Sequence, residues 1–169
     1  INCPSIDLGV YDLDVTPSGY LKPERYGEYG AHTVSPFLYF TEELRTFLYE
    51  RSKVSEGVPY NKDGRVDWGI AGKLSGDWFH SSIADAEAFN SAGPDGWAKT
   101  IAFAYDYYDG TPRISIGGTI TSPGVLSIAS DNPDPANVST SNGIVAYHGT
   151  PTIGLITAGW LLVQMLTDE

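Results

Sequence analysis

The chain is poor in cysteine, in basic residues and in long hydrophobic runs. Cys3 is its only cysteine, which excludes an internal disulfide and a zinc site built from several cysteines. Lys and Arg number 10 against 21 Asp and Glu. The net charge of -11 repels phosphate backbones and argues against nucleic-acid binding. The longest apolar stretch, residues 154–166, is too short for a transmembrane helix, so we expect no membrane span.

The composition that remains is that of a globular protein. With 169 residues, of which 41% are hydrophobic and 18% charged, the chain can bury the core of one domain, with or without an appended segment. Its acidic, lysine-poor, Tyr- and Gly-rich character favours a secreted or periplasmic bacterial protein. Because the chain begins with Ile1 rather than Met, we expect a processed start or a fragment of a longer chain.

Residues 1–57 read differently from the rest. A short strand pattern at 6–11 is followed by an irregular, tyrosine-rich passage. A helix is predicted to follow Thr41, whose hydroxyl can cap it, with Leu44, Phe47 and Leu48 forming one apolar stripe. This segment is too small to bury a core alone. We therefore expect it to pack on a domain formed by residues 58–169.

Residues 58–169 have a nearly all-β pattern. Asp109-Gly110 separates two alternating segments and predicts a hairpin, in which Ile114 and Ile116 meet Ile101 and Phe103. Residues 84–90 read as a short helix or lid. The predicted strands are 66–71, 73–79, 100–107, 113–120, 124–129, 143–148 and 159–166, the last as a buried closing strand. The predicted fold class is mostly β: an antiparallel barrel or sandwich with one N-terminal helix.

The element Gly76-Asp77-Trp78 lies at the start of this β-rich series. Gly76 allows the backbone to bend or to be approached closely, and Trp78 supplies apolar surface that can plug one end of a barrel. The element resembles the Gly-x-Trp signature near the first strand of lipocalins and other calycin-like barrels. This resemblance implies a small antiparallel barrel that binds a ligand.

The beginning of the chain resembles a second family. Residues 4–11 are similar to the last metal-binding strand of the LytM-like zinc endopeptidases of the M23 class, where a His-x-His pair precedes an apolar strand. The two histidine positions here are Ser5 and Asp7. Ser5 cannot replace an imidazole ligand, and Asp7 alone cannot build the site. The resemblance therefore implies a degenerate peptidase end without peptidase activity.

Five residues are candidates for a ligand site at the barrel mouth: Trp78, His80, Trp97, Phe103 and Tyr105. Trp78, Trp97 and Phe103 would line an apolar cavity entered near residues 80–90. Exposed tyrosines such as Tyr105 would offer a platform for sugars or polymers. His80, near Asp77 and Ser82, also supports a hydrolase as an alternative, although local adjacency is not the geometry of a catalytic triad.

Oxygen-rich loops suggest calcium as an alternative to simple turns. Asp106 and Asp109 flank one turn, and a second loop holds Asp131, Asn132 and Asp134. A third group is Asn61, Asp63 and Asp67. No group has the full calcium-loop pattern that ends in a bidentate glutamate, so hydrogen-bonded turns are favoured and no cofactor is expected.

Together these patterns predict a non-enzymatic extracytoplasmic binding or interaction module. Its partner is expected to be a small apolar molecule or another protein. Two alternatives stay open. One is a structural or assembly subunit with a filled barrel, which would form an oligomer; the other is a hydrolase that uses His80.

Overall fold

The computed structural model describes residues 9–51, 66–91, 93–106 and 108–167. The expected division at 57/58 lies outside these ranges, as do Ser5, Asp7, Asn61 and Asp63. None of the helices in the described ranges combines the length and the apolar character that crossing a membrane requires.

The N-terminal segment consists of short elements. Strand β1 (Val10–Tyr11) pairs antiparallel with β2 (Thr33–Val34). Between them lie a 3-10 turn (Pro23–Arg25) and helix α1 (Gly27–Gly30). A second 3-10 turn (Pro36–Tyr39) leads to helix α2 (Glu42–Tyr49). As predicted, the Thr41 side chain caps α2, because it accepts a hydrogen bond from the Leu44 amide.

The rest of the chain forms one antiparallel sheet with its strands in sequence order, curled into a half-barrel. The strands are β3 (Gly76–Phe79), β4 (Thr100–Tyr105), β5 (Pro112–Ile116), β6 (Gly124–Ile128), β7 (Ile144–Gly154) and β8 (Trp160–Gln164). Helices α3 (Ala86–Ser91) and α4 (Pro94–Ala98) join β3 to β4. Two 3-10 turns (Pro135–Asn137 and Thr140–Asn142) lie between β6 and β7.

The mostly β, antiparallel architecture is therefore confirmed, with two corrections. Residues 66–71, predicted as a strand, form none. The N-terminal helix α2 is accompanied by α1, α3 and α4, although α3 falls where the sequence predicts a short helix or lid. These helices are only a few residues long, too short for the apolar periodicity that identifies α2.

The Asp109-Gly110 hairpin is also confirmed. Gly110 has a φ of 68°, and the Asp109 carboxylate accepts a hydrogen bond from the Thr111 amide at 2.8 Å. In the resulting register Phe103 lies opposite Ile114, and Ile101 opposite Ile116. The turn chemistry therefore fixes which side chains of β4 and β5 meet.

The core lies on the inner face of the curled sheet. Phe103, Ile114 and Tyr147 are each 1% exposed and pack in one apolar cluster. The other buried members of the cluster are Leu74, Ile116, Leu126, Ile128, Val138, Ile156 and Met165. Large side chains thus fill this face and stabilise the fold by removing apolar surface from water.

The curl depends on β7, which pairs with β8 through its first half and with β6 through its second. Gly149 marks the change of partner. A Cβ there would lie 2.1 Å from the Ser127 carbonyl oxygen, so only glycine allows the two strands this approach.

The C-terminal strand differs from its prediction as a buried closing strand. The strand order places β8 at one edge of the sheet. Leu161 and Val163 pack against the core, whereas Trp160 is 69% and Leu162 67% exposed. An apolar run cannot distinguish a strand buried on both faces from one buried on a single face.

Candidate functional site

The outer face of β3, β4 and β5 is hollow where these strands carry small residues. Ala102 and Ser115 are directly opposite each other on this face, and Gly117 follows β5. Above them lie the 23–30 segment and helices α3 and α4, which leave a cavity of about 580 Å³. Its walls are Arg25, Tyr26, Gly30, Asp77, Phe79, Ala86, Asn90, Trp97, Thr100, Ile101, Ala102, Ser115 and Gly117.

A second cavity, of about 300 Å³, lies between the N-terminal segment and the chain that leads into β3. Lys22 and Lys73 contribute to its walls. It shares Arg25, Tyr26, Asp77 and Phe79 with the larger cavity. These four residues, which we call the junction cluster, therefore border both spaces.

A close backbone crossing holds the N-terminal segment against the sheet. The Gly69 amide donates to the Gly19 carbonyl at 3.1 Å, and a Cβ on Gly69 would lie 2.4 Å from that oxygen. Gly76 has a φ of 126°, and a Cβ there would lie 2.8 Å from the Gly69 Cα. The prediction that Gly76 permits close approach is confirmed, and the lack of a side chain at all three glycines lets these backbone segments come this close.

Tyr26 connects the segment to β3 within the junction cluster. Its hydroxyl donates to Asp77 Oδ2 at 2.6 Å, and its ring meets the Phe79 ring edge-on, with centroids 5.6 Å apart. The surrounding protein raises the pKa of the Asp77 carboxyl, because burial disfavours its charge; the hydrogen bond from Tyr26 opposes this in part. Burial and the nearby Asp77 likewise raise the pKa of Tyr26.

Arg25 is the unusual member of the junction cluster. Its guanidinium carbon lies 5.4 Å from the centre of the Phe79 ring. Its Nε and Nη1 atoms are buried, and neither finds a hydrogen-bond partner among the described residues. Burying a charged donor without an acceptor is costly. This arrangement marks a place where a ligand acceptor would be strongly favoured.

The structure distributes the five predicted site residues over several places. Trp78 and His80 line a smaller hollow of about 200 Å³. Trp97 borders the 580 Å³ cavity and is 70% exposed. Phe103 belongs to the core, and the Tyr105 hydroxyl donates to Asp134. Trp78 and His80 thus border the same hollow. Phe103 and Tyr105 border none of the 580, 300 and 200 Å³ spaces, and the ligand role of these two residues stays a prediction.

His80 is engaged with its own loop. Its Nδ1 accepts a hydrogen bond from the Ser82 amide at 3.1 Å and lies 2.9 Å from Ser82 Oγ. Asp77, the acid considered for a hydrolase, is instead hydrogen-bonded to Tyr26. Among the described residues, the contacts at His80 therefore form a loop turn and do not assemble a relay of acid, base and nucleophile.

In two of the oxygen-rich loops a carboxylate accepts a hydrogen bond within its own turn, as favoured from the sequence, whereas Asn61 and Asp63 of the third lie outside the described residues. Asp106 pairs with Arg113 at 2.9 Å, and Asp134 caps the Ala136 amide. Asn132 accepts from the His148 amide, and Asp131 pairs with the His148 ring. Within the described ranges, no three His, Cys, Asp or Glu side chains are grouped so that they could hold a metal ion.

Sequence reasoning did not single out Arg25 or Tyr26. They lie in the irregular passage between Pro23 and Gly27, which has no periodicity or spacing that would assign them a role. The local signal is Pro23, two residues before Arg25. This proline begins the 3-10 turn that carries the Arg25 side chain.

No family model, curated protein or solved structure matches this chain. The calycin-like and LytM-like resemblances therefore rest on the sequence motifs alone.

Proposed function

We propose that this protein is a non-enzymatic binding module, secreted or periplasmic, that holds a small molecule with an apolar part. The cavity of about 580 Å³ on the outer face of β3–β5 carries the proposal. Its volume is that of small-molecule sites, which combine apolar walls with a few polar groups. Trp97, Phe79 and Ala102 supply the apolar walls, and Arg25, Tyr26 and Asp77 of the junction cluster supply the polar groups.

This assignment keeps the ligand-binding part of a calycin-like role but places the ligand on the outer face. The inner face is occupied by the core around Phe103 and Tyr147. Of the predicted ligand residues, Trp97 borders the proposed site. Its exposed indole is positioned to cover a ligand and to report on one by fluorescence.

The first experiment is native mass spectrometry of gently purified protein, compared with the denatured mass. We expect a discrete small mass that is retained only under native conditions. A parallel titration uses N-phenyl-1-naphthylamine, a neutral dye that fluoresces in apolar cavities. Ala102→Phe should fill the space and abolish both the added mass and dye uptake.

The matched control is Ala104→Phe, which adds the same ring on the same strand and face. Ala104 does not border the described cavities, so this variant should retain dye uptake. If wild-type protein carries no added mass and takes up no dye, or if both variants bind like wild type, the small-molecule function is rejected.

An assembly subunit is the second candidate, favoured by the exposed edge strand β8. Trp160 and Leu162 point outward, and Ile144 on the neighbouring strand β7 is 68% exposed. Residues 159–167 carry no charged side chain, and so lack the charges with which edge strands usually resist pairing. This edge could therefore accept a strand from a second copy despite the net charge of the chain.

Sedimentation analysis of wild type and Leu162→Lys tests this second function. If β8 mediates assembly, wild type should form a defined oligomer and the added charge should return it to a monomer. Ile120→Lys is the control, since Ile120 is 63% exposed and lies outside β8. A wild-type monomer at high concentration would reject the assembly role.

A further inference from the structure

We propose that Arg25 recognises a carboxylate on the ligand, so that the ligand is an amphipathic carboxylic acid whose apolar body occupies the 580 Å³ cavity. The proposal rests on the binding function above and names its ligand class. Arg25 borders both cavities, and its Nε and Nη1 atoms are buried without a partner among the described residues. A carboxylate oxygen is one of the strongest acceptors for such donors.

The local charge supports an anion. The chain as a whole has 10 basic and 21 acidic residues. Among the described residues, the walls of the 300 Å³ cavity reverse this ratio, with three basic side chains (Lys22, Arg25 and Lys73) and one acidic side chain (Asp77). This cluster of positive charge attracts an anion, whereas the acidic remainder of the surface repels one.

Among the described residues that line the two cavities, Asp77 carries the carboxylate, and its state decides whether the site accepts an anion. Its pKa is raised by burial, and the Tyr26 hydroxyl donates to it. Both features reduce the repulsion that a bound carboxylate would meet: the first favours the neutral form, and the second places a positive dipole on the charged form.

The position of Arg25 also fixes the orientation of the ligand. The guanidinium lies against Phe79, whose ring borders both cavities. A carboxylate at Arg25 would leave the apolar body to extend toward Ala102 and Trp97 in the larger cavity. An anionic head at the junction and an apolar tail beneath α3 and α4 together use the polar and the apolar walls of this space.

The test measures binding of matched probes by isothermal titration calorimetry. One pair is decanoate and 1-decanol; the other is 1-naphthoate and 1-naphthalenemethanol. We expect the carboxylate of at least one pair to bind tenfold or more tightly than its alcohol. Arg25→Gln should remove this preference while leaving alcohol binding within about twofold. Arg51→Gln, just beyond the end of helix α2 and outside both cavities, should keep the preference.

Arg25→Lys and Lys73→Gln are further variants that test the proposal even if Arg25→Gln fails to fold. Arg25→Lys keeps the charge but loses the planar donor group, so it should retain part of the preference. Lys73→Gln should weaken carboxylate binding severalfold without affecting the alcohols.

The outcomes separate this proposal from the binding function. If carboxylates and alcohols bind equally, or if the folded Arg25 variants keep the full preference, the carboxylate proposal is wrong and the binding function stands. If only the neutral dye binds, the same conclusion follows. If wild-type protein binds neither the four probes nor the dye, both proposals are wrong.

Discussion

The two faces of strand β4 differ in what they carry. Phe103 points inward and is 1% exposed, packed with Ile114 and Tyr147. Its neighbour Ala102 points outward and borders the cavity of about 580 Å³. One strand thus provides a filled face and a hollow face by alternating a large residue with a small one. The filled face therefore removes more apolar surface from water than the hollow face does.

The largest effect that tests this contrast is expected from Phe103→Ala. Removing a fully buried ring should lower the free energy of unfolding by about 3–5 kcal/mol, since it loses apolar burial and leaves a cavity. Urea denaturation followed by circular dichroism would measure the loss.

Its counterpart is Ala102→Phe on the other face of the same strand. Because the added ring enters space that is already hollow, the free energy of unfolding should change by less than about 1 kcal/mol. If Ala102→Phe destabilises the protein as much as Phe103→Ala, the outer face is closely packed and the contrast between the faces is wrong.

The next largest effect is expected at alkaline pH, which should lower the free energy of unfolding through a residue of the filled face. Burial raises the pKa of Tyr147 from 10.0 to about 12. Above pH 10 the unfolded chain releases this proton while the folded chain keeps it, so stability is full below pH 10 and falls as the pH approaches 12. The loss should reach about 2–3 kcal/mol at pH 12 from this residue alone. Urea titrations at several pH values would measure it.

Tyr147→Phe is the control for this pH effect. The Tyr147 hydroxyl is buried and finds no hydrogen-bond partner among the described residues, so its removal should cost little at pH 7. The variant should lose less stability than wild type between pH 10 and 12. Residual loss is expected, because the pKa values of Tyr26 and Tyr105 are also raised. Identical slopes for variant and wild type would contradict the assignment to Tyr147.

The register of β4 and β5 was predictable from the sequence, although Phe103 was expected to line a cavity and instead packs in the core. The alternation of Ile101 and Phe103, the Asp109-Gly110 turn and the partner strand lie within sixteen residues of one another. Turn chemistry and side-chain alternation act over that distance, so register and facing residues follow from local rules. Strand β8 shows the limit of these rules, because its apolar run does not reveal that Trp160 faces outward.

The hollow face was not predictable in the same way. It forms because the Gly19 carbonyl meets the Gly69 amide, fifty residues later, and because Tyr26 reaches Asp77 across a similar separation. No periodicity in residues 19–30 encodes these contacts. The sequence predicts a ligand role for Trp97 from its large aromatic surface, but the residues opposite it follow only from the fold.

The smallest expected effect compares two arginines on the hollow side. Arg113 donates to Asp106 through Nε at 3.2 Å and Nη2 at 2.9 Å, whereas the buried Nε and Nη1 of Arg25 find no partner in the described ranges. Without ligand, Arg113→Met should lower the free energy of unfolding by about 1 kcal/mol, and Arg25→Met should leave it unchanged or raise it by up to about 1 kcal/mol. Thermal and urea denaturation of ligand-free protein would measure both. A loss at Arg25→Met equal to that at Arg113→Met would mean that Arg25 already has a stabilising partner, and the reason for assigning it to a ligand would be lost.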